Sequence, residues 1–242
     1  MKLNYKQKSN GMYMLSRGNF DEIATNLLRQ YMPEVLEFHR PVNVKRLAGD
    51  CLFLTVKDQI LSFDGSILGM TAFADVEVPC YDDCFMPTKL PVQEGTALIH
   101  IGLLWEGNNL RRRYTIAHEC AHWILHRSYH SPNNQQYSYR TPPLIACRKE
   151  NIERSKFGLR DDNDWIEWQA DGLAAAILMP HNPFRYLAKD LLRSYGKQFM
   201  IAGRPSSADF EIIEKLSRTF EVSKQAAQIR LRQLDFIREE KY

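Results

Sequence analysis

The stretch 113–126 constrains this chain more than any other. It holds His118-Glu119-Cys120-Ala121-His122 in a run without Gly or Pro. It reads as a helix of about four turns. His118 and His122 are four apart, so both rings leave the same face, one turn above the other. Two imidazoles held that way reach one metal ion at the usual zinc–nitrogen distance of about 2 Å. Glu119 leans over the same face and is placed to take a proton from water at the ion. The pattern is H-E-x-x-H, in which each fixed position has a mechanical reason. Alone, it also fits an ordinary amphipathic helix with two exposed histidines, so a further ligand must be sought.

A catalytic zinc takes three protein ligands and keeps a fourth position open. The metzincin arrangement would put a third His six residues after His122, where this chain has Ser128. His126 lies on about the same helix face as His122, but far along it for sharing the ion. Glu167 is the stronger candidate. It stands four residues before Asp171 in an expected helix, 164–179, so both carboxylates face one way. Glu167 can bind the metal, and Asp171 can accept the N–H of a ligating His, which fixes its tautomer. The small Ala170, Gly172, Ala174, Ala175 and Ala176 let this helix approach the first closely. Acids at this spacing also occur on solvated faces. Their conjunction with H-E-x-x-H selects the zinc reading.

The remaining chain gives a coarser picture. Helices are expected over 20–32, over 43–49 (capped by Asn43 and ended by Gly49), and from Asn182-Pro183, as N-cap and N1, to about 195. Asn109 is the expected cap of the motif helix. Strands are expected at 52–56, 60–63, 67–73, 76–78 and 96–103, paired as antiparallel hairpins. Residues 1–18 read as a mobile or loosely docked arm, and 80–95 and 128–162 as loops. Residues 208–237 carry two helical patterns, broken at Glu221-Val222 with Ser223 as a cap. That spacing could read DNA, but a packing or dimerising pair is the favoured reading. Arg111, Arg112 and Arg113 read as solvated surface at the start of the motif helix.

The net charge of +3 is too mild to argue for nucleic acid or a membrane surface. Five cysteines, Cys51, Cys80, Cys84, Cys120 and Cys147, are odd in number and irregular in spacing, which argues against a disulfide framework. Cys80 and Cys84 lack a second pair to complete a metal knuckle. Residues 1–19 have no signal-peptide pattern, and no run reaches the ~20 apolar residues that span a bilayer. A reduced, cytoplasmic protein without a membrane partner is expected.

The motif run 113–126, followed by Glu167, Ala170, Asp171, Leu173 and the small-residue run to Pro180, resembles the ImmA/IrrE metallopeptidases. Leu27-Leu28 with Pro41-Val42-Asn43-Val44 is similar to that family's entry helices, and 220–231 to its C-terminal helical segment. Ala121 stands where the family usually has a Gly, Asp171 where it has Asn, and Leu173 where it has Phe. The gap from His122 to Glu167 is also longer. The resemblance implies a zincin-like α+β fold with a small mostly antiparallel sheet, an active-site helix and a C-terminal helical segment. The division expected is an arm at 1–19, the peptidase domain at 20–200 and the helical segment at 205–242.

The function expected is that of a zinc endopeptidase of gluzincin type acting on a regulatory protein, a transcriptional repressor above all. His118, His122 and Glu167 would hold Zn2+, Glu119 would act as general base, and Asp171 would orient a ligating His. His126, His130, Tyr114, Tyr137 and Tyr139 are candidate oxyanion donors. The alternative is a regulatory DNA- or protein-binding protein that retains the fold without efficient proteolysis. A structural zinc is a further rival, with His126 as its fourth ligand. An intact base and ligand set favour the enzyme, and direct nucleic-acid binding is not the expected role.

Overall fold

The computed structural model describes residues 3–130, 143–148 and 161–239. Its architecture is mixed α+β, with a small sheet, two further strand pairs and several helices. No helix among the described residues is long and apolar enough to cross a membrane. The chain divides into two units, Met1–Phe20 with Asn43–Ala174, and Asp21–Val42 with Ala175–Tyr242. These bounds differ from three consecutive segments, because the first residues fold within the sheet-bearing unit.

That unit is built on four strands: β1 (Thr55–Gln59), β2 (Ile67–Ala72), β5 (Thr96–His100) and β6 (Leu144–Arg148), in the order β1-β5-β2-β6. β1 runs parallel to β5, whereas β2 is antiparallel to both neighbours. Between β2 and β5 in sequence, β3 (Val76–Tyr81) and β4 (Pro87–Val92) form an antiparallel hairpin. From Leu68 to Ala72 every residue of β2 is buried, because both faces of the strand are covered. Side chains alternate along a strand. Met70 and Ala72 therefore join Leu61, Val78, Val92 and Leu98 in one apolar cluster, while Gly69 and Thr71 turn to the other face.

That other face receives α4 (Asn109–His126). Asn109 is the first helical residue, not the cap. Asn108 precedes it and donates its amide to the Gly102 carbonyl at 3.0 Å. Arg112 pairs with Asp58 of β1 through both guanidinium nitrogens, so it is not part of a free basic surface. Asn43 caps α3 (Val44–Arg46) as expected, accepting from the Arg46 N–H at 3.1 Å. Gly49 does not end the element, which widens into a π-turn over Leu47–Cys51. α5 (Asp162–Leu178) brings the acidic pair.

Two stretches read as loop are strands. β4 carries Pro87 and Pro91, which argue against a strand, yet Pro is tolerated on an edge where its missing N–H faces no partner. β6 lies inside the long polar stretch 128–162; residues 131–142 and 149–160 of it are outside the described residues. The arm reading also needs correction. Residues 6–14 form a small hairpin closed by the Gln7–Tyr13 bridge and turned at Gly11, whose φ of +84° suits a residue without Cβ. Met12 is fully buried, and Lys8 and Asn10 each bond Asp162 at 2.9 Å.

The second unit holds most of α1 (Arg17–Tyr31), α2 (Glu34–Glu37), α6 (His181–Ser194), α7 (Ser207–Phe220) and α8 (Lys224–Gln233), with the short parallel pair β7 (Met200–Ile201) and β8 (Ile237–Arg238). α6 begins at His181 after Pro180, so Pro183 sits at the third helical position instead of the first. Ser206 and Asp209 form a capping box on α7, Glu221 closes it in the left-handed conformation, and Ser223 caps α8. Arg230 of α8 is buried, bonded to the Met179 carbonyl and paired with Asp21. That arginine serves packing inside the unit.

Candidate metal centre

α4 buries an unbroken run from Thr115 to His122. His118 and His122 project from it with their Nε2 atoms 2.9 Å apart. Glu167 of α5 closes the triangle, with Oε2 3.4 Å from His118 Nε2 and Oε1 3.5 Å from His122 Nε2. Donors about 2.0–2.1 Å from a tetrahedral ion stand roughly 3.3 Å from one another, so this set fits a divalent cation. The electrostatics agree. Burial raises the Glu167 pKa, but His122 and His118 outweigh it, and the carboxyl stays ionised, well below its ordinary value. Burial opposes a charge on His118, yet Cys147, Asp171 and Glu167 around it hold its pKa well above the imidazole range. The site favours positive charge, which an ion would supply.

Glu119 is fully buried between α4 and β2. Its Oε2 accepts the Thr71 hydroxyl at 2.6 Å. Its Oε1 has no hydrogen-bond partner among the described residues. A buried carboxylate oxygen left open costs free energy. Gly69 makes the space: a Cβ there would lie 2.3 Å from Oε1. Burial, offset in part by His122 and His118, raises the Glu119 pKa above the ordinary carboxylate value. A carboxylate so shifted is a better base near neutral pH.

Asp171 Oδ1 lies 3.0 Å from His118 Nδ1, though off the line of a good hydrogen bond, and accepts the Tyr114 hydroxyl at 2.8 Å. Burial and the Asp171 charge raise the Tyr114 pKa well above its ordinary value, so it stays a donor.

His126 is not among the converging donors. Its Nδ1 meets His122 Nδ1 at 3.0 Å, behind the ligand, and its Nε2 meets Gln169 Oε1 at 3.1 Å. Burial, with His122 beside it, pushes its pKa well below the ordinary value, so the ring is neutral. The other oxyanion candidates are placed elsewhere or not described. Tyr114 is engaged by Asp171, His130 stacks on Phe73 with ring centroids 4.5 Å apart, and Tyr137 and Tyr139 lie outside the described residues.

The structure adds residues that sequence reasoning missed. Thr71 and Gly69 come from β2, Gln169 from α5, and Cys147 from β6. Only Gly69 left a signal, since an isolated Gly inside a strand often marks close approach. The Cys147 thiol forms a second group with His118 and Glu119, their donor atoms all within 4.8 Å. Burial raises its pKa, partly countered by His118. His126, the fourth ligand proposed for a structural zinc, is in neither group.

Residues 144–232 match the family model described as the IrrE N-terminal-like domain, Peptidase_M78. The matched segment contains Glu167 and Asp171, and α4 precedes it. The resemblance read from the sequence is borne out over that segment, which supports a metallopeptidase-family function. No curated protein matches the chain.

Proposed function

From this IrrE-like match and the donor set before it, we propose a zinc-dependent endopeptidase of gluzincin type with a zincin-like fold. The observation that carries the reading is the convergence of His118, His122 and Glu167 beside the open oxygen of Glu119. These three residues would hold the ion. When bound, zinc would act as a Lewis acid on the scissile carbonyl and lower the pKa of a coordinated water to about 7. Glu119 Oε1 takes the proton from the attacking water and returns it to the leaving amine. Thr71 holds the other oxygen, so the carboxylate keeps its aim through both transfers. Asp171 steadies His118 and is itself held by Tyr114.

The substrate we propose is a regulatory protein, a transcriptional repressor in first place, as the family resemblance implies. Free thiols at all five cysteines support a reduced, cytoplasmic setting. Purified protein is expected to hold about one zinc per chain, as a three-ligand site does. His122→Ala and Glu167→Gln should each strip or strongly weaken the metal. His126→Ala should weaken the metal less than Glu167→Gln does, because its nitrogens meet His122 and Gln169 and it is not itself a ligand. Metal analysis that finds full zinc in His122→Ala would overturn the ligand assignment. A larger loss in His126→Ala than in Glu167→Gln would overturn the gluzincin reading.

A further inference from the structure

Behind His122 runs a buried chain of polar contacts that ends on the N-terminal hairpin. His122 Nδ1 meets His126 Nδ1 at 3.0 Å, His126 Nε2 meets Gln169 Oε1 at 3.1 Å, and Gln169 Nε2 donates to the Tyr13 carbonyl at 2.7 Å. His122, His126 and Gln169 are each at most 1% exposed, so water cannot substitute for a missing partner. We infer that the Tyr13 carbonyl fixes, through Gln169 and His126, the tautomer in which His122 offers a bare Nε2 to the ion.

The direction of every bond follows from one end. A backbone carbonyl can only accept. Gln169 must therefore turn its NH2 to Tyr13 and its oxygen to His126, which settles the amide orientation on chemical grounds. The amide oxygen also only accepts, so His126 carries its proton on Nε2. A neutral imidazole has one N–H, which leaves His126 Nδ1 bare. Two bare nitrogens 3.0 Å apart would repel, so His122 Nδ1 carries the proton. Its Nε2 is then a lone pair, aimed at His118 and Glu167. The opposite polarity would put a proton on His122 Nε2 and block coordination.

The hairpin is built to hold its carbonyl still. Lys8 N–H donates to Met12 O at 2.8 Å and Met14 N–H to Lys6 O at 2.8 Å, on either side of Tyr13. Asp162 takes Lys8 and Asn10. It lies seven residues, about two turns, before Gln169, on the same face of α5. One helix face thus clamps the hairpin at one point and receives its carbonyl at another. The hairpin at 6–14 thereby supports the metal centre without touching the ion.

The inference rests on the zinc reading for its consequence but not for its geometry, and the test separates the two. In zinc-free full-length protein, imidazole nitrogen NMR should show His126 protonated on Nε2 and His122 on Nδ1. Gln169→Met removes both bonds at similar volume. It should scramble those tautomers and weaken zinc, read by chelator competition, about 10–100-fold. Gln169→Glu keeps an acceptor for His126 but brings no N–H to the Tyr13 carbonyl, so it should leave the tautomers less well fixed than in the wild type and zinc binding weakened. Asp162→Ala loosens the hairpin from a half-buried position and should weaken zinc in the same direction, by less. His126 protonated on Nδ1, or wild-type zinc affinity in Gln169→Met or Asp162→Ala, overturns the inference. Correct tautomers in a wild-type chain that binds no zinc would sink the zinc reading and leave the relay standing.

Discussion

Glu119→Gln is expected to keep the fold and the zinc while lowering peptide hydrolysis by about 10²–10⁴-fold, the usual worth of a positioned base. Gln is nearly the same shape. Its oxygen can still accept the Thr71 hydroxyl, now at 2.6 Å from Oε2, and its NH2 fills the room beside Gly69. Neither ligating His loses a partner. Only the capacity to take a proton is gone, so the variant should trap an uncut complex with its protein substrate. In cells, a repressor that the wild type removes should persist. If Glu119→Gln relieves repression as well as the wild type does, proteolysis is not the mechanism, and the regulatory-binding alternative takes its place.

The same substitution has a stability signature of known sign. The Glu119 pKa is raised on folding by burial, despite the opposing histidines and Thr71. The folded state then binds more protons than the unfolded state above the ordinary value of 4.5. Stability therefore falls as pH rises through the interval from that value to the folded one. In zinc-free protein, Glu119→Gln should remove this fall and be the more stable form at neutral pH. Denaturant midpoints at acidic and neutral pH check it; an unchanged pH slope would mean the carboxylate is better solvated than its burial indicates.

What the chain disclosed about itself followed the range of the interactions. His118, Glu119 and His122 share a helix, so local periodicity alone put them on one face. Glu167 and Asp171 share another, and the structure brings Glu167 within 3.5 Å of both histidines. His126 shows the limit of that logic. Periodicity placed it beside His122 but could not say on which side of the ring it would lie. Thr71 and Gly69 are 48 and 50 residues from Glu119, and Tyr13 is 156 from Gln169. Of the three only Gly69, isolated inside a strand, carries a local mark. β4 was hidden by prolines that an edge strand tolerates, and β6 by the polar run around it. The hairpin at 6–14 has few apolar residues, and its order comes from polar contacts to α5 that leave no periodic trace.

Gly69→Ala is expected to disable the enzyme from a position that touches neither ion nor substrate. The added methyl would sit 2.3 Å from Glu119 Oε1 and 2.9 Å from both its Cδ and Thr115 Cγ2. The strand cannot retreat, because Gly69 pairs with Ile99 on one side and Cys147 on the other. Thr115 is buried, and its hydroxyl is bonded to the Arg111 carbonyl. The carboxylate is the part that can give. Overpacking of this kind costs about 1–3 kcal/mol, and misplacing a reacting group by roughly 1 Å can cost on the order of 10²-fold in rate. Zinc should remain, since His118, His122 and Glu167 meet the ion away from Gly69. The cause is separable from general damage. In a Glu119→Ala background two of the three close contacts vanish, so the stability cost of Gly69→Ala should shrink, with a coupling of about 0.5–3 kcal/mol. An equal cost in both backgrounds would show that the strand, and not the carboxylate, absorbs the methyl. Wild-type turnover in Gly69→Ala would show that Glu119 Oε1 need not stand where the structure puts it.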